Sequence, residues 1–162
     1  MSSERAQALA DQFAAAKNEM IATLEELSES QWQTKVTGED RPVAVVAHHV
    51  AGALRAVSGW VRAVATGQQL PDTLTHEFID QTNAVHAEKH PSPTQAEVLD
   101  LMRSNGAAAE AMIRGFSDEE LDRTGSAPLF GEQPLAARTV IRHVLTKHIT
   151  DHLRGIKATF GQ

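Results

Sequence analysis

The stretch Lys147-His148-Ile149-Thr150-Asp151-His152 sets two imidazoles four residues apart. On a helix that spacing stacks both rings one turn apart on a single face, within reach of one ion. Ile141, Val144, Leu145, Ile149 and Ile156 share that face, so both rings point inward among aliphatic side chains. Two inward imidazoles are costly unless they are hydrogen-bonded or bound to metal. A pair of core or rim histidines bonded to each other, to backbone or to water accounts for the same spacing and stays open beside the metal reading.

A third ligand has to come from elsewhere in the chain. His48-His49 offers two adjacent rings about 100° apart on a helix, so only one faces the core squarely. His49 shares a stripe with Val46, Ala53 and Trp60. His48 falls with Gly52, Arg55 and Arg62 on a polar side. His49 is therefore the expected inward ligand, with His48 at the surface or behind it. His86 and His90 repeat the four-residue spacing, but they abut Pro91 in a polar stretch. They read as a solvated helix end, with the rings beside the last carbonyls. His143 lies five residues before His148 and is rotated off its face, so it is left out.

Three neutral imidazoles from His49, His148 and His152 leave coordination positions for water or substrate. That is the pattern of a catalytic zinc or nickel site rather than a closed structural one. Such an ion lowers the pKa of a bound water or thiol and holds it as a nucleophile. The chain has no cysteine, so a thiolate has to arrive as a cosubstrate. No Ser-His-Asp spacing, phosphate-binding glycine loop or DNA-reading helix accompanies the histidines, and no catalytic acid or base is assigned. Asp151 points about 100° away from His152 on the same helix. Arg55, Arg142 and Arg154 are candidates for anchoring carboxylates, with surface solvation as their simpler role.

The elements that must position these residues are helical. At 162 residues the chain fits one domain, residues 1–162, able to bury a core without staples. Alanine is abundant, aromatics are only 4%, and alternating β-branched runs are lacking, a balance that leans all-α. Apolar residues at helical spacing predict long helices over about 4–27, 42–66, 94–116 and 136–160, with a short extra helix near 75–88. Asp40 is the expected N-cap of the second, and Thr94 with Glu97 a capping box for the third. Four helices with one apolar stripe each bury those stripes against one another, which predicts a four-helix bundle. A faint echo links residues 20–32 to 112–121, each followed by a loop and a histidine-bearing helix.

The formal charge of −6 argues against nucleic acid as a partner. No apolar run approaches the ~20 residues of a membrane span, and the N-terminal segment lacks the pattern of a signal peptide. The expectation is a cytoplasmic protein acting on a small-molecule substrate, with a homodimer allowed.

Two segments resemble the DinB-like superfamily, which includes damage-inducible DinB proteins, thiol-dependent S-transferases and maleylpyruvate isomerase-like proteins. Residues Arg41 to Gly52 are similar to that family's first histidine helix. There the ligand is followed by an aliphatic and a small residue, as in His49-Val50-Ala51. Residues His148 to Ile156 resemble its His-x-x-x-His signature ahead of a small residue and Ile. The resemblance implies a bundle with long crossing connections, matched by the loops at 28–41 and 117–135. It also implies a metal-dependent transferase or isomerase using a low-molecular-weight thiol such as bacillithiol or mycothiol. A non-catalytic bundle binding metal or a small ligand in a stress response is the alternative.

Overall fold

The computed structural model describes residues 3–162; Met1 and Ser2, where the N-terminal segment discussed above begins, lie outside the described residues. The first helix, α1 (Glu4–Glu25), starts at Ser3, whose hydroxyl accepts from the Ala6 N–H. It buries Leu9, Phe13, Met20 and Leu24. A one-turn helix, α2 (Glu29–Trp32), follows under a Ser28–Gln31 capping box and buries Trp32. Periodicity alone reads that segment as part of the loop at 28–41. Its mirror in the second half is α6 (Asp118–Asp122), with a Ser117–Glu120 capping box and buried Leu121. The echo between residues 20–32 and 112–121 is thus a repeated helix–capped-turn unit.

The second long helix, α3 (Val43–Thr66), ends at Gly67, which takes φ +75°, a conformation that favours glycine. Its N-cap is Pro42 with no side-chain bond, and Asp40 is exposed instead of capping. The Pro42 ring fixes the entry angle, which removes the need for a polar cap there. Residues Val43 to Ala47 are all buried, because this end of α3 is covered on several sides. Leu54 and Val61 are buried, whereas the stripe predicts Ala53 and Trp60, a rotation of about one residue.

Next comes α4 (His76–Lys89), capped by Thr75, and then α5 (Gln95–Arg114), where the Thr94–Glu97 capping box forms as expected. The last rod begins as α7 (Ala137–Val140), passes through a π-helical segment (Ile141–Thr146) and continues as α8 (Lys147–Thr159). The backbone stays right-handed helical across both junctions, at Ile141 and at Thr146. Between α6 and α7, β1 (Thr124–Gly125) and β2 (Leu135–Ala136) pair antiparallel and close the long connection.

The chain is therefore all-α, a four-helix bundle of α1, α3, α5 and the α7–α8 rod. α5 packs against both α1 and α3, and the last rod packs against α1 and α3. Phe13, Met20, Leu54, Met102, Ile113, Ile141, Leu145, Ile149 and Ile156 form the shared core. One charge enters it: Lys17 is 8% exposed and donates to Glu110 at 2.8 Å across the α1–α5 seam. Among the described residues no helix is long and apolar enough to cross a membrane.

Candidate metal centre

His49 sits two turns into α3, and His148 and His152 lie on the first two turns of α8. Packing of α3 on α8 brings one nitrogen from each ring within 4.8 Å of the others. The Nε2 atoms of His49 and His148 are 3.0 Å apart. Ring centroids are 4.9 Å apart for His49–His148, 5.3 Å for His49–His152 and 4.6 Å for His148–His152, all edge-on. Nitrogens on a four-coordinate zinc with bonds of about 2.0–2.1 Å lie about 3.3 Å apart. The three nitrogens could hold a divalent ion, with the His49 and His148 pair already close to that spacing.

Their protonation fits as well. Burial, reinforced by His148 and His152, pushes the His49 imidazole down to about 3. Burial beside His152 pushes His148 down to about 4, and burial lowers His152. All three rings are neutral at pH 7 and present lone pairs without first losing a proton.

The sequence announces only part of what surrounds the triad. His48 does not stand in solvent: its Nδ1 lies 2.6 Å from Nε2 of His86. His86 and His90, read as a solvated helix end, fold onto α3 instead. The His48 ring stacks on His86 at 4.9 Å and on His90 at 4.2 Å, and His86 stands edge-on to His49 at 5.8 Å. Burial, then His48 and His90, pushes His86 down to about 4. The polar side of α3 does continue beyond His48 as exposed Gly52, Arg55 and Arg62. At His48 itself the C-terminal turn of α4 covers it, a tertiary contact with no local sequence signal. His76 and His143 remain exposed, so six of the eight histidines gather at one place.

Two further residues reach the cluster from the loop between α2 and α3. That loop is pinned by a bridge between Lys35 and Pro42 and by the Thr37 N–H donating to Thr159 at the end of α8. Arg41 Nη2 donates to Glu39 Oε1 at 2.7 Å. Arg41 Nη1 and Glu39 Oε2 are buried without a hydrogen-bond partner among the described residues. The Arg41 charge depresses His49, His86, His148 and His152 alike, whereas Glu39 favours the charged form of His152. In the sequence the one available hint was the position of Arg41 immediately before Pro42. Arg55, Arg142 and Arg154 are exposed, and Asp151 is engaged by Lys147 and lies 3.5 Å from Arg154.

Fold and site together define a histidine-lined helical bundle, and sequence comparison places it. The DinB superfamily profile matches residues 6–156, and the chain belongs to that superfamily. None of the curated proteins matches the chain. Among solved structures, the mycothiol-dependent maleylpyruvate isomerase superposes with a TM-score of 0.74 at 11% identity, over 93% of this chain and 60% of that one. The chain thus spans about 60% of that enzyme's length. YfiT from Bacillus subtilis, described as a probable metal-dependent hydrolase with an unusual four-helix bundle topology, superposes with a TM-score of 0.74 at 15% identity. That match covers 99% of this chain and 90% of YfiT. The sibling lethal factor precursor DfsB gives 0.75 at 18% identity, over 96% and 95% of the two chains. At these identities the likeness is one of fold.

Proposed function

We propose that the protein is a metal-dependent transferase or isomerase that uses a low-molecular-weight thiol as cosubstrate. The observation that carries this reading is the convergence of three neutral imidazoles, His49, His148 and His152, in a chain with no cysteine of its own. Three protein nitrogens leave room for an exogenous ligand on zinc or nickel. When bound, the ion supplies Lewis acidity that favours the thiolate over the thiol.

The chain's residues supply the rest. His49, His148 and His152 hold the donor atoms in fixed directions, because α3 and α8 are clamped by the buried core around Val50, Ile149 and Ile156. Arg41 keeps one buried N–H group free beside the cluster. A guanidinium with an open donor suits the carboxylate of a small acid or of a peptide-like thiol, and orients it by a charge-assisted bond. The maleylpyruvate isomerase is mycothiol-dependent by description, which supports the thiol reading for this chain.

A second reading is a bundle that binds metal or a small ligand without turnover. It is favoured by the surroundings of the triad, where the neighbours among the described residues are His86, Arg41 and Glu39 rather than a serine or threonine hydroxyl. Elemental analysis of the untagged protein, followed by turnover assays with a panel of thiols and small unsaturated acids, separates the two. About one zinc or nickel at the triad and thiol-dependent turnover, both lost in His49→Ala, are the expected results. Stoichiometric triad metal without turnover under any thiol favours the second reading. Retention of that metal in the His148→Ala, His152→Ala double variant overturns the triad assignment.

A further inference from the structure

Three buried side-chain atoms lack a hydrogen-bond partner among the described residues: Glu39 Oε2, Arg41 Nη1 and His86 Nδ1. All three residues flank the triad. His86 stands edge-on to His49 at 5.8 Å, the Arg41 charge acts on every triad ring, and the Glu39 charge acts on His152. A buried polar atom left unmatched is costly and rare. The other ion pairs of the described residues carry none, so their gathering at one place marks a surface shaped for a ligand.

We propose that Glu39 and Arg41 are the specificity-determining pair of this site, and that they select a small carboxylic acid with a hydrogen-bond donor on the adjacent carbon, a 2-hydroxy or 2-amino acid. This selection rests on the triad being where an exogenous ligand meets the protein, as proposed above, but not on that ligand being a thiol. Arg41 Nη2 donates to Glu39 Oε1 at 2.7 Å. That bond sets guanidinium and carboxylate side by side and leaves one atom of each, Nη1 and Oε2, for a third party. Nη1 offers a charge-assisted N–H, the match of a carboxylate oxygen. Oε2 offers only lone pairs, so its match is an O–H or N–H. A carboxylate with a hydroxyl or ammonium on the next carbon presents both. A 2-keto acid would set a second acceptor against Oε2.

The loop holds the pair ready. Gly38 takes φ +83°, a conformation that favours glycine, and the turn closes with the Glu39 N–H donating to the Val36 carbonyl at 2.9 Å. The Val36 N–H donates in turn to the Arg41 carbonyl at 3.0 Å, and the Thr37 N–H ties the loop to Thr159. The side chains of Arg41 and Glu39 are 24% and 30% exposed, so a solute can reach them. Other carboxylates with influence on the histidines are committed elsewhere: Asp151 is engaged by Lys147 and lies near Arg154, and Glu97 accepts from the Thr94 N–H in its capping box.

Four acids of equal chain length test the pair: racemic lactate, racemic alanine, pyruvate and propionate. Each is titrated calorimetrically into untagged, zinc-loaded protein, with metal content checked by elemental analysis before and after. Lactate and alanine are expected to bind about 10-fold or more tightly than pyruvate and propionate, the worth of one hydrogen bond to a charged group. In Glu39→Gln the amide oxygen keeps the Arg41 bond and an N–H stands where Oε2 was, so pyruvate should then outbind alanine. Chelation of zinc by the same acids is common to both proteins, and the reversal therefore reads the side chain alone. Arg41→Gln should weaken all four acids by a similar factor. Natural protein that binds pyruvate and propionate as tightly as lactate and alanine, or binds none of the four, overturns the proposal without any variant having to fold. An unchanged order in a Glu39→Gln variant of native circular dichroism overturns it too. Thiol-dependent turnover that persists beside such a result leaves the proposed function standing. Its absence beside the expected order of acids removes the thiol and keeps the pair.

Discussion

Acid should loosen the metal-free protein well before its carboxylates titrate. His49 is held down to about 3 and His148 to about 4, each chiefly by burial, against an ordinary value of 6.5. Their folded pKa values lie below the unfolded one, so the unfolded chain binds more protons between pH 6.5 and about pH 4. The neutral rings' stabilisation is fully present above pH 6.5 and is lost as pH falls through that window. Each ring that stays neutral in the fold while protonating in the unfolded chain costs about 1.9 kcal/mol between pH 7 and pH 5. The two together remove roughly 4 kcal/mol, a large share of a typical domain stability of about 5–15 kcal/mol. His48, His86 and His152 shift in the same direction and add to the loss. Asp122, Asp151, Glu97 and Glu110 are held below ordinary values of 3.8 or 4.5, so their losses come at lower pH.

The assay is urea unfolding of chelator-stripped protein at pH 7 and pH 5, followed by far-ultraviolet circular dichroism. The natural protein is run alongside the His49→Gln, His148→Gln variant, whose pH dependence should shrink by most of that 4 kcal/mol. Zinc at about 100 times its Kd should restore about 2.7 kcal/mol at a given pH while the site remains competent to bind. A change below about 1 kcal/mol in the natural protein, or an undiminished change in the variant, refutes the burial of neutral imidazoles at this site.

Two packing predictions are independent of the histidines. Trp32→Phe removes the buried bond to the Pro93 carbonyl and should cost about 1–2 kcal/mol in urea melts; no loss would mean that this contact does not anchor the α4–α5 connection. A methyl group on Gly106 would clash with Lys17 Cδ, and that side chain cannot yield freely while its ammonium is paired with Glu110. Gly106→Ala should therefore cost about 1–3 kcal/mol from overpacking, offset by about 1 kcal/mol of helix propensity. In a Lys17→Ala background the same change should be neutral or stabilising, and an unchanged cost there would place the clash elsewhere.

Periodicity located the long helices to within a few residues, because each must bury one apolar stripe. The His-x-x-x-His spacing placed His148 and His152 on one face of α8, since a one-turn separation is a property of the helix itself. His49 followed from its stripe on α3, and Thr94 with Glu97 announced the start of α5. The short helix α2 has its capping pair in Ser28 and Gln31, but four residues are too few to show an apolar stripe. What the sequence alone determined was thus local: helix faces, capping residues, and which histidines look inward from their own helix.

The tertiary structure decided which faces meet. His86 and His90 look like a solvated helix end in isolation, because α4 is mostly polar and its apolar side chains Phe78, Ile79 and Val85 do not gather into a stripe that declares a buried side. Only the path of the chain through Leu74 and the Pro91–Pro93 corner lays α4 across α3 and stacks those rings on His48. Arg41 and Glu39 reach the cluster through a loop whose course is fixed by its bonds to Pro42 and Thr159, contacts that no periodicity encodes. Side-chain direction along one helix is set by a 100° step per residue, whereas contacts between distant segments depend on how loops and packing orient whole elements.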